Sequence, residues 1–279
     1  MTRETINGID TLTFDSLYDM YQFGGQAFGR RVCEGNWETQ NRYERNWAGR
    51  YPTLAAVYAA CLKDSEYSAR INAIASKLVG QITASVHEQE LSMDVTGLGF
   101  DMGLVMQGVP ECWITQAPSK EPKVVRIGVN TSCSAGIDHK IIINRGIGIT
   151  ALIQVLEASG IGTEVTLCGE GLVAYKYGVH TFTMLKPQGE YFDLEKFAFA
   201  ICDPSYPRMM EFAVEWQASG IDSYSIAWPS PKVDEIGPAK YDLYLKSMFL
   251  YDADFASEES TKAWVVNKAK EFGVEIGAF

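Results

Sequence analysis

The chain has 279 residues, 47% apolar and 21% charged, with a formal net charge of −11. That balance suits a globular fold of one large domain, or a domain with a smaller appendage. It argues against a surface coated in basic residues for duplex DNA, although a local basic island remains open. No apolar run approaches the roughly 20 residues that cross a bilayer, so no membrane role is expected. MTRETINGIDTLTFD lacks the apolar segment of a secretory signal. The six cysteines (Cys33, Cys61, Cys112, Cys133, Cys168, Cys202) are scattered without a CxxC pair, so they read as reduced thiols of a cytoplasmic protein.

Residues 1–90 read as a helical N-terminal region. Leu54, Val57, Tyr58, Cys61 and Leu62 follow the spacing of one helix face, with Thr53 as N-cap. Ile71, Ile74, Ala75, Leu78 and Ile82 repeat that pattern. Residues 91–122, rich in Gly and Pro, read as an irregular connection. From 123 to 279 strands and helices alternate. KVVRIGV (123–129) is a β-branched run suited to a strand covered on both faces. GITALIQVLEASG (148–160) is helical and stops at Gly160, and TEVTLC (163–168) is the next strand. Such a βαβ unit demands parallel strands and a right-handed crossover. VHTFTML (179–185), DSYSIAW (222–228) and YDLYLKSMFL (241–250) read as further strands. LEKFAFAI, MMEFAVEWQASG and SEESTKAWVVNKAKEFG read as helices, and VEIGAF as a last edge strand. The expected fold is α/β: an open, mostly parallel sheet with helices on both faces.

Two stretches carry candidate chemistry. The first is VVRIGVNTSCSAGIDHK, where Asn130, Ser132 and Ser134 alternate just past the end of a strand. Ligands in open α/β sheets bind beyond the carboxyl ends of strands. The plain alternative is a polar turn whose side chains satisfy backbone groups. The second is residues 29–52, with Arg30, Arg31, Arg42, Arg45 and Arg50 among Trp37, Tyr43, Trp47 and Tyr51. Arginine stacks on bases and forks onto phosphates, and aromatic rings give platforms for unpaired bases. That composition suits single-stranded nucleic acid. Packing of the aromatics onto the sheet, or contact with a protein partner, would use the same residues.

Other motifs point away from catalysis. GLGFDMG and RGIGIT lack the spacing of a dinucleotide fingerprint, and there is no GKS or GKT phosphate loop and no Gly-x-Ser-x-Gly elbow. His139 follows Asp138, but triad members meet in space rather than in sequence. Asp252, Asp254, Glu258 and Glu259 read as a solvated face, or as a surface for a basic partner. The expectation is a protein without catalytic activity.

The Asn130-x-Ser132-x-Ser134 spacing resembles the metal-ion-dependent adhesion motif of von Willebrand factor A domains, Asp-x-Ser-x-Ser after the first strand. The resemblance implies a site for Mg²⁺, yet Asn130 stands where the family has Asp and so brings no charge. KPQGEYFD offers no Thr and WPSPKVD begins with Trp-Pro rather than Asp, so the expected site is degenerate and needs no cofactor. More widely, Gly108, Pro110, Glu111 and Cys112, followed by VVRIGVNTSCSAG and INRGIGITALIQVLEASG, resemble a bacteriophage protein family with an A-like domain. That family is taken to include the single-stranded-DNA-binding middle-transcription activators of enquatroviruses. The resemblance implies a phage product in the host cytoplasm that binds single-stranded DNA and recruits a phage RNA polymerase.

Overall fold

The computed structural model describes residues 1–27, 91–94, 99–116, 123–134, 136–173, 177–190, 192–220, 237–248 and 252–274, with helical residues at 56–57, 59–60 and within 69–80. The chain opens on a hairpin, not a helix. β1 (Thr2–Ile6) and β2 (Ile9–Phe14) pair antiparallel, from Thr2 opposite Thr13 to Ile6 opposite Ile9. Asn7 and Gly8 make the two-residue turn at φ 53° and 79°. Positive φ at both positions matches the twist of the flanking strands. Helix therefore begins only at α1 (Leu17–Gly25), where the Ser16 hydroxyl accepts from Asp19 N at 3.2 Å.

The connection at 91–122 is more ordered than its composition suggests. β3 (Leu91–Asp94), β4 (Gly99–Phe100) and β5 (Trp113–Gln116) form a small antiparallel sheet in the order β3-β5-β4. Between β4 and β5 lies the short helix α2 (Met102–Met106), capped by Asp101, whose carboxylate accepts from Gly103 N at 2.7 Å.

The main sheet is mixed. β6 (Val124–Asn130), α3 (His139–Ala158) and β7 (Gly162–Val173) make the expected βαβ unit, with β6 and β7 parallel from Val124 opposite Gly162 to Asn130 opposite Cys168. β8 (Tyr177–Lys186) returns antiparallel to β7. β9 (Leu243–Leu245) lies parallel to β6 on its other side. The full order is β1-β2-β8-β7-β6-β9, and three of its five neighbouring pairs are parallel. The strand expected over 241–250 is cut to three residues. Lys246 O turns to accept from Arg145, and Met248 leaves the ladder to bridge with Cys133. The strand expected at 222–228 lies outside the described residues, as do residues 275–279 of the expected edge strand.

α3 starts at His139, nine residues ahead of the expected Gly148, with the Asp138 carboxylate accepting from Lys140 N at 2.9 Å. Gly146 and Gly148 look like breakers in sequence, but they are packing residues. A Cβ on Gly146 would stand 2.5 Å from Ile201 O, in α4 (Leu194–Cys202). Glycine lets the two helices touch by their backbones, at a propensity cost of roughly 1 kcal/mol relative to Ala. A π-helical turn (Tyr206–Met210) leads into α5 (Glu211–Ser219), which stops at Gly220 with φ 65°. α6 (Glu258–Glu271) is held by a Ser257–Ser260 capping box, has Glu258 and Glu259 in its first turn and Lys268 and Lys270 in its last, and packs on α3.

One core joins these layers: Leu12 and Phe14 of β2, Val125, Ile127 and Val129 of β6, Leu152 and Leu156 of α3, and Val214 and Trp216 of α5. Each fully buried side chain of this kind contributes roughly 1.5–3 kcal/mol relative to exposure. Among the described residues, α3 alone is long and apolar enough to cross a membrane, and 72% of its apolar window is buried, as in a core helix.

Candidate functional site

β6 delivers Asn130 to the end of the sheet, buried to 0% exposure. Its Oδ1 accepts from Ser132 N at 3.0 Å, and its Nδ2 donates to the Tyr244 hydroxyl at 3.2 Å. The Ser132 hydroxyl accepts from Glu170 N at 2.8 Å and donates to Glu170 O at 3.1 Å. It thus extends the β6–β7 ladder past its last backbone pair, Asn130 opposite Cys168. The Ser134 hydroxyl accepts a long bond, 3.4 Å, from Gly136 N. The Asn130 and Ser132 oxygens that a cation would need face inward onto the protein itself, while Ser134 is half-buried.

Two arginines close the same strand end. Arg145, 4% exposed, donates to Asn130 O and Lys246 O, both at 2.8 Å. Arg208, 1% exposed, donates to Ile137 O at 2.6 Å. Both guanidinium groups lower the affinity of Cys133 for its proton, but burial wins and pushes that thiol up. Guanidinium keeps its charge at any accessible pH. A divalent ion would meet two fixed cations here and no carboxylate from the motif, so the residues present do not fit Mg²⁺. Among the described residues no group of three or more His, Cys, Asp or Glu is arranged to hold a metal ion.

A second feature goes beyond the two stretches that stand out in sequence. Glu211 and Glu215 sit one turn apart on α5, each 3% exposed. Glu211 accepts from the Thr131 hydroxyl, directly beside the strand-end motif. Both carboxyls press onto glycines of β7. A Cβ on Gly169 would stand 2.8 Å from Glu211 Oε1, and one on Gly171 would stand 2.2 Å from both Glu215 oxygens. No ion pair reaches either carboxyl among the described residues, and Glu215 Oε2 has no hydrogen bond there. Burial raises Glu211 to about 8, against the opposing bond from Thr131. Burial also lifts Glu215 well above the glutamate range, and the charges of Glu211 and Glu170 push it the same way. Burial therefore favours the protonated form of both side chains. Glu170 faces His180 across β7 and β8, with Nε2 at 3.5 Å from Oε1. Two signals for this cluster are present in the sequence: paired acids at helical spacing in the apolar run MMEFAVEW, and Gly-Glu-Gly within a strand.

Arg30, Arg31, Trp37, Arg42, Tyr43, Arg45, Trp47 and Arg50 lie outside the described residues. The Gly108–Cys112 element is the turn from α2 to β5, with Gly108 at φ 72°. Around it four large apolar side chains are exposed: Met102 (58% exposed), Val105 (42%), Met106 (83%) and Trp113 (36%). On the main sheet, the face carrying Thr166 and Phe182 lines a cleft of about 350 Å³ with Thr11, Thr13, Met184 and Lys240. Lys240 Nζ sits 4.6 Å above the Phe182 ring. The four described cysteines, Cys112, Cys133, Cys168 and Cys202, are free thiols.

A six-stranded mixed sheet with packed helices and a strand-end polar motif defines an α/β protein. Within that class the chain belongs to the family described as Domain of unknown function (DUF7192), whose model matches residues 4–272. That span runs from the opening hairpin to the end of α6. No curated protein and no solved structure matches the chain.

Proposed function

We propose that this chain works by binding and not by catalysis. It holds single-stranded DNA on the Arg-aromatic segment 29–52 and docks a protein partner, by resemblance a phage RNA polymerase, in the host cytoplasm. The observation that carries the reading is the exposed apolar arm. Four of the six large hydrophobic side chains exposed among the described residues, Met102, Val105, Met106 and Trp113, fall within residues 102–113. Exposed large apolar side chains gathered in one short element point to a contact site, and methionine adapts to a partner's shape. The composition of residues 29–52 supports the nucleic-acid half. A gel shift with single-stranded and duplex probes tests it. A retarded single-strand complex at low salt is expected, and its absence removes the reading.

A second reading is an A-like protein-interaction module with a degenerate metal site and no nucleic-acid role. It is favoured by the position of Asn130, Ser132 and Ser134 at the carboxyl end of the first strand of the βαβ unit. In this reading the arginine-closed strand end is a metal-free scaffold. The same gel shift separates the two, since only the first predicts a complex.

A further inference from the structure

We infer that α5 is a proton-keyed clamp: it lies flat on β7 only while Glu211 and Glu215 hold their protons, and it lifts from the sheet as base removes them. The geometry leaves little alternative for an ionised pair. The two carboxyls lie on one face of the helix, seated over Gly169 and Gly171, where any side chain on the strand would collide with them. Neither has an ion-pair partner among the described residues, and Glu215 Oε2 accepts no hydrogen bond there. A buried charge without a partner is far costlier than a neutral carboxyl, so ionisation favours any arrangement that lets water in.

The groups around the pair reinforce this. β7 supplies Glu170, a further acid, and β8 supplies His180, which faces Glu170. α1 packs on α5 through Gly24, with Met210 and Val214 close against it. The strand-end loop supplies Cys133, whose thiol senses the charges of Glu211, Arg208 and Arg145, and Arg208, in the turn before α5, donates to Ile137 O. At the far end Arg3, paired with Asp10, donates to Ala218 O at 2.8 Å and holds the last turn of α5 to the β1–β2 hairpin. The helix is thus pinned at its C-terminal end. It is preceded by a π-helical turn, Tyr206–Met210, which can rewind without breaking the chain. Lifting the helix off β7 breaks that Arg3 bond to Ala218 O and uncovers Trp216, now 2% exposed.

The raised position of Glu211, about 8, sets the direction. The drive to open therefore builds as pH rises from the ordinary glutamate range and is complete near pH 8, so the clamp is tightest in acid and loosest at and above about pH 8. The test uses the full chain labelled with 5-fluorotryptophan. The Trp216 resonance is assigned by its loss in Trp216→Phe. Its H₂O/D₂O isotope shift, which reports solvent contact of the ring, is followed from pH 5.5 to 9.5. The expected result is a near-zero shift at low pH that rises toward pH 8, and a flat profile in the Glu211→Gln/Glu215→Gln double variant. A Trp216 ring that stays dry to pH 9.5 overturns the proposal, and so does an unchanged transition in the double variant. If the double variant does not fold, the single variants decide. A reduced or displaced transition in either one supports the clamp, and two transitions identical to the parent's refute it.

Discussion

Ser132→Ala separates a structural hydroxyl from a metal ligand. The Ser132 hydroxyl makes two hydrogen bonds to the backbone of Glu170, at 2.8 and 3.1 Å, in a site only 6% exposed. A typical hydrogen bond contributes about 1 kcal/mol net, and stranding a buried donor or acceptor costs roughly 1–3 kcal/mol. Removal of one oxygen strands both an N–H and a C=O, so the expected loss of unfolding free energy is about 2–4 kcal/mol. Urea unfolding followed by circular dichroism, in EDTA and again in millimolar Mg²⁺, measures it. The loss should be the same in both, because Arg145 and Arg208 occupy the electrostatic role of a cation at this strand end. A loss below about 1 kcal/mol, or one seen only with Mg²⁺, would show that the hydroxyl does not serve as an extension of the ladder.

Three further outcomes are expected. Glu211 holds its proton up to about pH 8 in the folded chain, and releases it near the ordinary glutamate value when unfolded. Its contribution is therefore complete in acid, falls by about 1.4 kcal/mol per pH unit between those limits, and is lost above about 8. Glu211→Gln should remove one proton's worth of slope from a plot of unfolding free energy against pH, and raise stability at pH 7 by up to about 3 kcal/mol; an unchanged slope would count against the buried-acid assignment. Gly146→Ala gains roughly 1 kcal/mol in helix propensity but forces a Cβ within 2.5 Å of Ile201 O, so a net loss of about 1–2 kcal/mol is expected. Gly148→Ala, whose nearest neighbours are the Thr261 and Phe255 side chains at 3.0 and 3.3 Å, should stay within about 1 kcal/mol of the parent; equal effects at the two glycines would be at odds with a backbone contact at Gly146 alone.

Much of the α/β layout is legible in the chain itself. The β-branched run at 124–130 and the helical spacing after it announce a βαβ unit, because both strands are buried on two faces and need continuous apolar residues. The true start of α3 is hidden because Gly146 and Gly148 resemble breakers, while their role is helix contact across sequence-distant elements. The opening hairpin has a local signal, Asn7-Gly8 between alternating residues, which the stronger helical pattern further on outweighs. At the candidate site, the departure of Asn130 from a carboxylate is readable. The arginine closure is not, because Arg145 and Arg208 reach the strand end only through the packing of α3 and of the turn before α5. The buried acids are half legible: Glu211 and Glu215 in an apolar run and the Gly-Glu-Gly of β7 are readable, but their seating on Gly169 and Gly171 is a tertiary contact.

Binding of single-stranded DNA through residues 29–52 is best probed by fluorescence anisotropy of a labelled single strand across a salt series. The parent should bind at low salt and weaken steeply as salt rises, with a duplex of the same length bound less tightly. In the Arg42→Ala/Arg45→Ala variant affinity should fall, and the slope of log K against log salt should flatten by up to about 1.4, roughly 0.7 for each phosphate no longer neutralised. Absence of binding at low salt, or an affinity and slope unchanged in the variant, would mean that this segment is not a single-strand surface.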